Sequence, residues 1–177
     1  MLTTKPFLGL SPLPQGRNLT SEEIHAVAIA LAAQVKQIIG CDCALVCEFN
    51  LILANRGTKI VADACEDNWH EIINREFVAR HLRSLSQQVY ASTDTTKDKS
   101  PYHDELSRFG IGSILSGCIE INNLEWGALI CWNKSSREWL ESDLLLIAEV
   151  CQYLEYAIAR SNLKPAFLDR GHAKTIS

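Results

Sequence analysis

The side chains best equipped for chemistry are thiols. Cys41, Cys43 and Cys47 lie close together in "CDCALVCEF", and Cys65 closes "IVADAC". Thiolates ligate soft metals and exchange with disulfides. Strand side chains alternate between faces, so Cys41, Cys43, Leu45, Cys47 and Phe49 are expected to share one face. Neighbours on such a face stand roughly 7 Å apart along the strand, which keeps Cys41 and Cys43 from bridging each other readily. Cys-x-Cys-x-x-x-Cys is not a usual iron–sulfur spacing, but these thiols with one from elsewhere, such as Cys65, could hold a cluster. They could equally act as redox-sensing thiols, or as small buried hydrophobes. A second stretch, "SPYHDELSRFGIGSIL", carries Tyr102 and His103 in polar surroundings, followed by an alternation of Phe109, Ile111, Ser113 and Leu115. His103 is either a donor to a ligand carbonyl or carboxylate, or a loop histidine in water. The charges around it, Asp94, Lys97, Asp98, Lys99 and Asp104, read as a solvated loop without paired carboxylates placed for acid–base work. The sequence contains neither a glycine-rich phosphate loop nor a His-Glu-x-x-His zinc motif.

Composition narrows the setting for these residues. The 177 residues suffice for one domain with a proper core, and 47% hydrophobic with 21% charged residues is ordinary for a globular protein. A formal net charge of −4 argues against nucleic acid or an anionic membrane as partner. No apolar run reaches the roughly 20 residues of a membrane span, and the N-terminal stretch, broken by Pro12 and Pro14, lacks the apolar core of a signal peptide. Seven cysteines, an odd number, do not suggest a disulfide framework, and a cytosolic location is expected.

The elements that must position these residues follow from periodicity. Residues 1–19 read as an irregular lead-in. Thr20 to Glu23 has the form of a capping box, and Ile24, Val27, Leu31, Val35 and Ile38 recur behind it at helical spacing until Gly40. "CDCALVCEFNLIL" and "TKIVADAC" read as strands of a hairpin around "ANRG". Residues 68–86 carry apolar side chains at loose helical spacing. "ASTDTTKDKSPYHDE" reads as a long loop. "FGIGSILSGCIEI" and "WGALICWNK" form a second hairpin around "NNLE". The last helix opens at "SSREWLESD", buries Leu144, Ile147, Ala148, Cys151, Leu154 and Ile158, and is stopped by Lys164-Pro165. The order predicts an α+β fold: an antiparallel sheet with the first and last helices packed on one face.

Five fragments, in order across residues 20–163, resemble a GAF domain of the phytochrome and cyanobacteriochrome type. "CDCALVCEF" is similar to that family's first core strand and "GTKIVADACEDNW" to its second. "FGIGSILSGCIEI" and "WGALICW" resemble its later strands, and "REWLESDLLLIAEVCQYLEYAIARSNL" resembles its closing helix. The resemblance implies a GAF domain over 20–163 with a tail at 164–177, a role in signal transduction, and a pocket for a linear tetrapyrrole (bilin). The family attaches its bilin by a thioether to a Cys followed directly by His. Aligned on "SPYH", that Cys is Tyr102 and the His is His103. The resemblance also places Asp94 at the acidic position before the attachment site, Cys47 where a tyrosine borders the chromophore, and Trp132 in place of a pocket histidine. A phenol cannot form the thioether, and the Trp132 ring fills space.

The expectation is therefore a non-catalytic regulatory domain with a degenerate pocket and no cofactor. It acts as a homodimer or by contact with a signalling partner such as a kinase or response regulator. A bilin held without a covalent bond is the alternative ligand, and an iron–sulfur cluster or thiol sensor the alternative chemistry. A methionine sulfoxide reductase of GAF type is disfavoured, because that group's Gly-rich segment around its catalytic Cys has no counterpart here.

Overall fold

The computed structural model describes residues 17–49, 58–65, 89–97 and 103–161. The first helix, α1 (Ser21–Ile39), begins at the capping box read from the sequence. The Thr20 hydroxyl accepts the Glu23 amide at 3.2 Å, and Glu23 Oε2 accepts the Thr20 amide at 2.9 Å. The helix ends where the Gly40 amide donates to Lys36 O. Ile24, Leu31 and Val35 are buried, as their spacing predicts, but Ile38 is 51% exposed and Ile39 takes the core position.

Strand β1 (Cys43–Phe49) pairs antiparallel with β2 (Thr58–Asp63), as the predicted hairpin requires. Strand β4 (Ser113–Ile121) and β5 (Leu124–Asn133) form the second hairpin. Its turn sets Asn122 and Asn123 at φ of 54° and 62°. Asn tolerates that left-handed conformation better than most residues. The stretch expected to be wholly loop contributes two elements: β3 (Val89–Ser92) and a six-residue helix, α2 (His103–Arg108). Strand β3 is short and weakly patterned, and only its pairing along β4 reveals it. The alternation expected from Phe109 does not start there. Gly110, at φ 72°, turns the chain out of α2, and the strand begins at Ser113. The closing helix, α3 (Glu141–Ala159), ends before Lys164-Pro165 is reached. The helix expected over 68–86 lies outside the described residues.

The sheet is five-stranded, in the order β2-β1-β5-β4-β3. Helices α1 and α3 pack on one face, as expected, over Ala44, Val46, Leu115, Leu129 and Cys131. A parallel bridge between Leu19 and Ser161 brings the start of α1 beside the end of α3, so the helices run antiparallel. Their other ends are joined by Arg137. Its guanidinium donates to Ile39 O at 2.6 Å and Gly40 O at 3.0 Å, pairs with Asp143 at 3.3 Å, and lies over the Trp139 ring. Trp139 Nε1 donates in turn to Ser92 O on β3 at 3.0 Å. The Arg-x-Trp before α3 is thus a joint between both helices and the sheet edge. Gly127 lies where β5 crosses close to β1, and a Cβ there would overlap the Cys47 carbonyl oxygen.

Candidate functional site

The sheet face away from α1 and α3 carries a second, smaller apolar cluster: Cys43, Leu45 and Cys47 from β1, Ala128, Ile130 and Trp132 from β5, and Ile114 from β4. Alternation along β1 and β5 divides the side chains, so that Ala44, Val46, Leu129 and Cys131 face the helices. Leu106 of α2 and Ile111 cover the cluster, with Tyr90, Phe109 and Cys65 at its border. Trp132 is fully buried and stands between Cys43 on β1 and Ile114 on β4 in the pairing register. Cys47 is also fully buried, opposite Ala128 and two same-face steps along β1 from Cys43, and its thiol donates to Ala128 O at 3.6 Å.

Two of the expected site residues, Cys47 and Trp132, thus share this face, separated by two same-face steps along the strands. Asp94 is engaged in its own turn. Its carboxylate accepts the Thr96 amide at 3.1 Å and hydroxyl at 2.6 Å, and pairs with Lys97 at 2.8 Å. The Lys97 ammonium, then the Thr96 hydroxyl, hold the Asp94 carboxyl down at about 2. The turn is stitched to the strand that follows by Thr95, which is buried and bonds to the backbone at Ile111 and Gly112. His103 opens α2. Tyr102 lies outside the described residues.

The thiols do not line up as the sequence suggests. Cys41 precedes β1, so the alternation does not extend back to it. It packs on the helix side, donates to Cys43 O at 3.3 Å, and is hydrogen-bonded to Cys131, which lowers its pKa and raises that of Cys131. Cys43 is joined to Cys65 in a disulfide with Cα atoms 4.3 Å apart. A cluster on Cys41, Cys43 and Cys47 is therefore not supported: one thiol is on the wrong face and one is spent in a bond. Among the described residues, no group of three or more His, Cys, Asp or Glu is placed to hold a metal ion. The disulfide follows from the β1–β2 register, which the structure and not the sequence supplies. Leu45 pairs with Asp63, so two residues further out Cys43 meets Cys65.

The chemistry of this face suits a flat, conjugated, mostly apolar ligand. Leu45, Ile114, Ile130 and Trp132 form its buried aliphatic and aromatic body, and Cys65, Tyr90 and Phe109 lie at its border.

No protein-family model and no curated protein matches the chain. Solved structures do match in fold. The chromophore-binding domain of a bacteriophytochrome from R. palustris superposes with a TM-score of 0.63 at 17% identity, covering 76% of this chain and 55% of that one. The phycoerythrobilin-bound GAF domain of a cyanobacterial phytochrome gives 0.63 at 19% identity, covering 81% of this chain and 89% of that one. The blue-light absorbing form of the PixJ GAF domain of Thermosynechococcus elongatus gives 0.59 at 20% identity, covering 76% and 86%. The chain thus spans little more than half of the bacteriophytochrome fragment and most of the two isolated domains.

These neighbours overturn the expectation of no cofactor. One is a chromophore-binding domain and another carries phycoerythrobilin. With a two-faced antiparallel sheet, two antiparallel helices on one side and a short helix on the other, this chain has the fold of these GAF domains.

Proposed function

We propose that the chain is a sensory domain in signal transduction that holds a bilin against the β1–β5–β4 face without a thioether at Tyr102. The observation that carries this reading is the second apolar face, in a fold shared with a phycoerythrobilin-bound domain. Leu45, Ile114, Ile130 and Trp132 would supply contact for the conjugated body, with Tyr90 and Phe109 at its edge. A bound bilin supplies visible absorption. The chain's own part is to orient it, exclude water and pass a change in the sheet to α1 and α3, with no reaction catalysed. The pocket is degenerate only in its covalent anchor, and Trp132 narrows it relative to a histidine.

The test is an absorption spectrum of the chain purified from bilin-producing cells, before and after acid urea. A visible band lost on denaturation is expected. A chain that stays colourless refutes the reading, and a band that remains on the unfolded chain refutes the non-covalent hold.

A homodimer through the outer faces of α1 and α3 is the accompanying reading, with output to a kinase or response regulator in the cytosol. The outer sides of the two helices favour it: Ile29, Leu145 and Tyr156 are 45%, 59% and 57% exposed. Ala26 and Ile29 also border a surface recess of about 300 Å³ on α1. Light scattering at roughly micromolar to millimolar concentration should give twice the chain mass, and a monomer throughout refutes the dimer. Ile29→Glu with Leu145→Glu should dissociate it.

A further inference from the structure

A disulfide joins Cys43, within the second apolar cluster, to Cys65 at its border. Cys43 opens β1 and Cys65 lies just beyond the end of β2. The ladder continues past the strand end, because the Ala64 amide donates to Ala44 O at 2.8 Å. Leu45 stands opposite Asp63, so Cys43 and Cys65 are directly opposed, with their Cα atoms 4.3 Å apart. Backbone pairing, rather than the bond itself, therefore holds the two sulfurs together. The bond can open and close without rearranging the sheet.

The two ends differ in access. Cys43 is fully buried, whereas Cys65 is only half-buried at the border of the cluster. An attacking thiolate meets Cys65 first. Cys47, on the same face as Cys43, is two strand steps further along and takes no part.

We propose that Cys43–Cys65 is a thiol–disulfide switch that exchanges with a small tripeptide thiol of the glutathione class. In the reducing direction, a glutathione thiolate attacks Sγ of Cys65. The Cys43–Cys65 bond breaks, and Cys43 leaves as a thiolate and takes up a proton. A second glutathione thiolate then attacks the mixed disulfide, releasing Cys65 and glutathione disulfide. Two electrons pass from two glutathione thiols to the protein disulfide. The oxidising direction is the reverse, with glutathione disulfide as oxidant. Closing the bond links Cys65 covalently to the face that Trp132 occupies, and opening it removes that link while the backbone ladder stays paired. The switch needs no bilin and stands independently of one.

Trp132 reports the state, because it is paired directly with Cys43 across β1 and β5 and disulfides quench neighbouring indoles. The folded full chain is equilibrated in mixtures of reduced and oxidised glutathione, acid-quenched, alkylated and digested. The Cys43–Cys65 linked peptide is then quantified by mass spectrometry alongside tryptophan emission. The expected result is loss of the linked peptide as reduced glutathione comes into excess, its return on reversal, and emission that rises with the loss. A link that survives fully reduced glutathione in the folded chain overturns the proposal, as does a link that never forms in oxidised glutathione. Cys65→Ser, which alters only the half-buried partner, should leave the far-ultraviolet circular dichroism unchanged and abolish the emission response. A response that persists unchanged in this variant also overturns it.

Discussion

Replacing Arg137 by alanine should destabilise the fold out of proportion to its place in a loop. Its guanidinium reaches the last carbonyls of α1, at Ile39 and Gly40, which no further helical turn can satisfy. A hydrogen bond from a charged donor contributes about 1.5–3 kcal/mol. The Ile39 bond is part-buried and belongs near the middle of that range, while the Gly40 bond is exposed and adds less. Partial exposure reduces the ion pair with Asp143 to about 0.5 kcal/mol, and the contact with the Trp139 ring adds about 0.5 kcal/mol. These groups share one side chain and are not additive, so the net cost should be about 3 kcal/mol. With a urea slope of about 2 kcal/mol/M, the unfolding midpoint falls by about 1.5 M. Arg137→Lys should recover less than half of this, because a point charge cannot serve two carbonyls and a carboxylate in one plane. A midpoint shift below about 0.4 M for Arg137→Ala would show that water caps α1 equally well and would refute the reasoning.

Gly127→Ala places a Cβ against the Cys47 carbonyl and must push β5 from β1. A loss of about 2–4 kcal/mol is expected, read as a thermal melt lowered by several degrees. Glu23 is held at about 2 chiefly by its hydrogen bond with Arg17. Its folded value lies below the unfolded one, so its stabilisation is present above pH ~4.5 and is lost as pH falls toward about 2. NMR titration should show this low value in the native chain and a return toward ordinary carboxylates in Arg17→Ala. Thr20→Ala, which removes the other half of the box, should cost about 1 kcal/mol in urea unfolding. Cys118 is pushed up to about 12, first by burial and then by Glu125, Glu120 and Glu155. Iodoacetamide at pH 8 should therefore modify it in the native chain far more slowly than in an unfolded peptide.

The parts of this fold written in local pattern were legible. The capping box, both hairpins and the shared face of the two long helices follow from period and turn chemistry. What failed depended on partners distant in sequence. Strand β3 has four residues and no strong alternation, and exists because β4 offers it an edge. Ile38 and Ile39 are equally apolar, and only the packing of α1 on the sheet decides that Ile39 is buried. The role of Arg137 was hidden because the carbonyls it serves lie about a hundred residues earlier in the chain. At the candidate site, the facing of Cys43, Leu45 and Cys47 could be read from strand alternation, but the inclusion of Cys41 could not survive a strand that starts two residues later. The expectation of no cofactor failed for a different reason. It rested on three single residues, Tyr102, Cys47 and Trp132, whereas a ligand face is a property of the whole sheet.

The sheet is a thin partition with both sides in use. Successive residues of β1 touch opposite compartments: Leu45 one, Val46 the other. A tilt of that strand forced from below is, at the same instant, a displacement of the floor beneath α1. Such a wall needs no relay of side chains to transmit a push. Its stiffness sets how faithfully a change in the lower compartment is printed on the upper one, and at Gly127, where β5 has no room for a Cβ against β1, the two strands cannot be pressed closer.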